Sequence, residues 1–245
     1  MTIAVRLLPA FTACACLLLG ACGGPAAAAL PDGGVPDGGA VPDGGSGVTF
    51  GGDWHGGMLN TNFSFGASST LNPTLTGTTV GGTGSIDGYG PGTLSGTFDG
   101  TTWNGMFNKG GYHEPINLTL VGPFLVGLMT GDSPDAIVTF GSDAATPAPT
   151  SVPTQLSGTW KSRKTASTGS ITITLGAPNS ANQGTGQIAA GSLGSGSGSY
   201  GYARSGLQLN IGPSSFDVQL FGRGKRFVGG YVTATDLGVI DATAP

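Results

Sequence analysis

Proton transfer and nucleophilic attack need histidine, carboxylate, cysteine or an activated hydroxyl, and this 245-residue chain is poor in the first three. Its histidines are His55 and His113, its one glutamate is Glu114, and Cys14, Cys16 and Cys22 all fall within the first 22 residues. His55 follows Asp53 and Trp54, while His113 and Glu114 stand in a Gly-Gly-Tyr-His-Glu-Pro segment. Imidazole and carboxylate together suit zinc, yet a spacing of 58 residues from one histidine to the other is not a ligand signature. Gly196-Ser197-Gly198-Ser199-Tyr200-Gly201 fits the glycine pattern of dinucleotide sites, but it opens no helix that could turn its N-terminus to a phosphate. No catalytic set, metal or cofactor is therefore expected. Trp54, His55, His113, Glu114 and Trp160 remain as candidate binding residues.

The elements that must carry these residues follow from composition. Glycine accounts for 48 of 245 residues, and only 9% are charged where about 25% is usual. An interior glycine costs a helix about 1 kcal/mol relative to alanine, and beyond the first 30 residues every 3.6-period stretch holds several. Strands and turns are left. Five- to nine-residue segments with period-two alternation recur throughout, among them 170–175, 207–211 and 216–220.

The body also resembles itself at a shift of about 102 residues. Gly82-Thr83-Gly84-Ser85-Ile86 matches Gly184-Thr185-Gly186-Gln187-Ile188, Val126-Gly127 matches Val228-Gly229, and Ile137-Val138 matches Val239-Ile240. Gly52-Asp53-Trp54 aligns with Gly158-Thr159-Trp160, and the run 116–122 with 216–222, at slightly different shifts. The expected fold is all-β: two tandem small antiparallel β-barrels, each an up-and-down meander of about eight strands, with two β-sandwiches as the alternative. The expected segments are an export signal at 1–21, a Gly/Pro/Asp-rich tether at 22–46, repeats at 47–143 and 155–245, and a proline-containing linker at 144–154.

The N-terminus has one cation, Arg6, then an apolar stretch from Leu7 to Leu19, too short to span a bilayer. Leu19-Gly20-Ala21-Cys22 resembles the lipobox of bacterial lipoprotein precursors. The resemblance implies cleavage before Cys22, diacylglycerol on its sulfur and attachment to a membrane through that residue. Gly23, in place of aspartate, leans toward the outer membrane if the enterobacterial sorting rule holds. The body after Cys22 has no cysteine to form a disulfide.

The two Gly-x-Trp segments resemble the first strand of lipocalins and, more loosely, the opening of avidins, which implies barrels with a tryptophan in the floor. The first half carries Lys109 against seven acidic residues, a balance of −6; the second carries seven cations against three aspartates, a balance of +4. Seven scattered cations make no nucleic-acid footprint, but docking of the halves through opposite charge is expected. The functional expectation is a lipid-anchored, non-catalytic envelope protein that binds a small apolar ligand or an envelope partner. A lipocalin-like carrier and a purely structural surface protein are the alternatives.

Overall fold

Period-two alternation becomes strand throughout the computed structural model, which describes residues 50–245 apart from 63–64, 133, 143, 145, 204–205 and 212–215. Cys22, the export signal and the tether lie outside the described residues. The first eight strands are β1 (Trp54–Asn60), β2 (Phe65–Thr76), β3 (Thr79–Ile86), β4 (Gly90–Phe98), β5 (Thr102–Lys109), β6 (Tyr112–Val121), β7 (Phe124–Met129) and β8 (Ala136–Ser142). The second eight are β9 (Gln155–Ser162), β10 (Thr168–Leu175), β11 (Gln183–Ala189), β12 (Ser195–Ala203), β13 (Gly206–Ile211), β14 (Phe216–Arg223), β15 (Arg226–Thr233) and β16 (Leu237–Thr243). Each set forms a closed antiparallel barrel, shut by β1 pairing with β8 and β9 with β16.

Both interiors are filled by side chains. Trp54, Trp103, Phe107, Leu71, Ile86 and Leu118 are among those packed inside the first barrel, with Phe50 stacked on Phe98 at 4.2 Å. Trp160, Tyr200, Tyr231, Phe216, Phe227 and Ile173 are among those inside the second. An eight-stranded barrel is narrow, so bulky rings fit only where a neighbour is small. In the second barrel that neighbour is the glycine directly across the ladder: Gly169 opposite Trp160, Gly184 opposite Tyr200 and Gly238 opposite Tyr231. A Cβ on these glycines would stand 2.8, 2.8 and 2.6 Å from the facing ring. The glycine-rich composition is in these places a set of shelves for aromatic rings.

Register also refines the alignment of the two halves. Gly56 pairs with Phe140 and Gly158 with Ala242, and a Cβ on either glycine would strike the partner strand's backbone within 2.0 Å. Counted from these positions, the residue matching Trp160 is Met58, since Met58 faces Val138 as Trp160 faces Ile240. Trp54 lies four residues earlier on its strand and pairs with Ser142. The two Gly-x-Trp segments thus occupy different places in their barrels, which a glycine-rich sequence conceals.

Docking of the barrels is apolar, against the charge-based expectation. Leu59, Phe124, Val126 and Ile137 of the first barrel form one buried cluster with Phe221, Val228, Val232 and Leu237 of the second. Polar contacts cross it as well: Arg223, buried, donates to the carbonyls of Gly141 (2.8 Å) and Ser142 (3.1 Å), and Gln219 donates to that of Gly66 (2.7 Å). Arg226 instead pairs with Asp241 of its own barrel at 2.6 Å. The segment between the barrels is held too, Tyr202 donating its hydroxyl to the Pro149 carbonyl and the Gly224 amide donating to that of Pro147.

Candidate binding surface

Alternation along a strand separates residues that the sequence places side by side. His113 is exposed on the outside of β6, whereas Glu114 is fully buried on the inside, where a Cβ on Gly131 would meet its Oε2 at 2.9 Å. The Nδ1 of His113 lies 2.8 Å from Asn108 Oδ1, and its backbone N–H donates to Asp132 Oδ2 at 3.3 Å. His55 is exposed on the outside of β1, with β7 and β8 lying between its strand and β6 on the shorter path round the barrel. The structure does not gather the candidate residues into one site. Among the described residues no group of three or more histidine, cysteine or acidic side chains converges as a metal site would require.

Both candidate tryptophans are interior packing. The Trp160 indole donates to the Ala190 carbonyl at 3.0 Å and meets Tyr231 edge-on, with centroids 6.1 Å apart. Trp54 is fully buried, and among the described residues its indole N–H finds no acceptor. At one end of the second barrel Asp236 accepts hydrogen bonds from Ser162 Oγ (2.7 Å) and the Tyr231 hydroxyl (2.8 Å). Burial, and then the hydrogen bond to Asp236, push the Tyr231 hydroxyl far above the usual tyrosine range. Ser162 Oγ in turn accepts from the amides of Lys164 and Thr165, so its hydroxyl serves to tie a turn together.

With the interiors occupied, the outer faces are what a ligand meets. On the first barrel Asn72, Thr83, Thr93, Asn108 and His113 stand in one row across β2 to β6. Thr76, Thr79, Thr97, Asn104 and Asn117 form a second row, in which Asn117 and Asn104 are hydrogen-bonded through their side chains. On the second barrel Gln155, Thr174, Gln187 and Ser197 align across β9 to β12. Along that row a groove of about 530 Å³ opens over β10, β11 and β12, lined by Thr174, Gln187 and Ser197 among others, and none of its lining residues is ionisable. The groove is not legible in the sequence. Ser170 to Leu175 reads as a strand, but which residues of β11 and β12 lie against it depends on register.

No family model matches the chain, and neither does any curated protein. Among solved structures, it is similar to a protein of unknown function of the DUF3598 family from Nostoc punctiforme. The match has 12% identity and a TM-score of 0.29, and covers 80% of this chain and 96% of the other.

Proposed function

We propose that this chain is a lipid-anchored protein of the bacterial cell envelope that binds through the outer surface of its barrels and performs no catalysis. The observation that carries the binding mode is the filling of both interiors by side chains, which leaves the outer faces for contact. A lipocalin-like carrier needs an empty lumen, so carriage of an apolar ligand is the less favoured reading. Surface binding is further supported by the groove on the second barrel, which a purely structural role does not require. Anchoring rests on Leu19-Gly20-Ala21-Cys22 behind its apolar stretch, and the outer membrane on Gly23. Several acyl chains on one residue hold far more firmly than one, at about 0.8 kcal/mol per buried CH₂.

The test has two arms. Fatty-acid metabolic labelling is expected to tag the wild-type chain in the outer-membrane fraction and to miss the Cys22→Ser variant; label on that variant refutes the anchor. In the second arm the detergent-solubilised protein is sedimented with isolated envelope polymers. Retention is expected, and free protein throughout refutes surface binding.

A further inference from the structure

We infer that the groove over β10–β12 is a binding site for an uncharged saccharide. This rests on the surface-binding reading above and names its ligand class.

The groove's chemistry is selective by what lines it. Thr174, Thr185, Gln187 and Ser197 contribute hydroxyl and amide groups, each of which can donate and accept, as can every hydroxyl of a sugar. Gly176, exposed beside them, has no side chain to stand over the strand backbone there. Without a cation in the lining, an anionic ligand gains no charge-assisted bond, and without a carboxylate a cationic one gains none. Leu175 and the glycines complete the lining; a wholly apolar ligand would still strip water from the four polar side chains and return no hydrogen bonds, which is unfavourable. A peptide seeking a free sheet edge finds none beside the groove, because the barrel is closed. The volume, about 530 Å³, lies within the range of roughly 300–1,000 Å³ usual for small-ligand sites.

The first barrel supplies an internal comparison. Leu71 pairs with Gly84 as Leu175 pairs with Gly186, and Ser85 pairs with Pro91 as Gln187 pairs with Ser197. By this register Gly176 corresponds to Asn72 and Ser197 to Pro91. The first barrel thus has an amide side chain where the second has none, and a ring without a donor where the second has a hydroxyl. Neither exchange asks for an unusual backbone, since Gly176 is not among the residues with left-handed φ and Pro91 already stands in a strand at the matching register.

The experiment is saturation-transfer NMR on the full-length protein. Cellohexaose and maltohexaose are the uncharged probes, and a hexagalacturonate of similar length is the acidic one. At least one uncharged probe is expected to show saturable transfer, the acidic one markedly less. The Gly176→Asn/Ser197→Pro variant should weaken binding about tenfold or more, as expected for two or so lost hydrogen bonds. Should that variant lose its strand-type circular dichroism, the exposed Gln187→Ala substitution replaces it and is expected to weaken binding in the same direction. Absence of transfer from both uncharged probes, preference for the acidic one, or equal binding by a folded groove variant each overturns the inference. The polymer sedimentation separates the two levels: retention undiminished by the groove variant removes this site and leaves surface binding standing. Wild-type protein that is not retained removes surface binding itself.

Discussion

Gly184 and Tyr200 show at the scale of single residues why glycine is so abundant here. The ring lies where a side chain on the opposite strand would stand, so the pair is one packing unit spread over two strands. Gly184→Ala is expected to force the Tyr200 ring off its place and to cost about 1–3 kcal/mol, as overpacking of a filled core does. Gly201→Ala is the control. Nothing lies within 4 Å of a Cβ there, and its midpoint in urea unfolding should stay close to wild type. A Gly184→Ala midpoint equal to that of Gly201→Ala would show that the shelf is dispensable. Glycine content alone argues against helices, but it does not tell a shelf from a turn. That distinction depends on the residue across the ladder. For the same reason His113 and Glu114 read as one candidate cluster in sequence, while alternation sends them to opposite sides of the barrel wall.

Among the strands, alternation is enough to place 170–175, 207–211 and 216–220 within β10, β13 and β14. The interface strands carry a further signal. β8, β14 and β15 are buried on both faces over nearly their whole length. Ala136-Ile137-Val138 of β8 and Phe227-Val228 of β15 are correspondingly apolar at successive positions, whereas β14 keeps its alternation and buries Asp217 and Gln219. Charge balance points elsewhere, because net charge does not say which side chains face the other barrel. Arg223, on β14, does enter the interface, where it caps the carbonyls at the end of β8. Arg223→Ala is expected to leave the Gly141 and Ser142 carbonyls buried without these donors, at about 1–3 kcal/mol for each group stranded. Urea denaturation should show this as a lowered midpoint, with Lys225→Ala, an exposed neighbour, unchanged within about 0.5 kcal/mol. If the two variants behave alike, the guanidinium contributes nothing to the docking and the apolar cluster holds the barrels alone.

At the scale of the whole molecule, sequence self-similarity and strand alternation lead to two closed barrels. The groove, the apolar docking and the mismatch between Trp54 and Trp160 depend on register, which composition does not encode. The topology has a further consequence in time. Every pairing within a barrel joins neighbours in sequence except the last, β1 with β8 or β9 with β16. Hairpins of this kind carry short loops and assemble quickly, but a meander lacking its final strand presents two raw edges. As the chain emerges N-terminus first where it folds, the first barrel can shut before the second is complete, and its apolar docking face must wait uncovered. The second barrel cannot shut before β16 is made, because β9 has no other strand for that side. A chain stopped after Thr235 should therefore appear as large sedimenting species, joined through the edges of β9 and β15, while one lacking only Ala244 and Pro245 should sediment as the intact protein does. The emerging chain thus passes through an aggregation-prone intermediate until the closing strand appears, and a nonsense change or proteolytic nick near the end of the chain would be more damaging than the few residues it removes suggest.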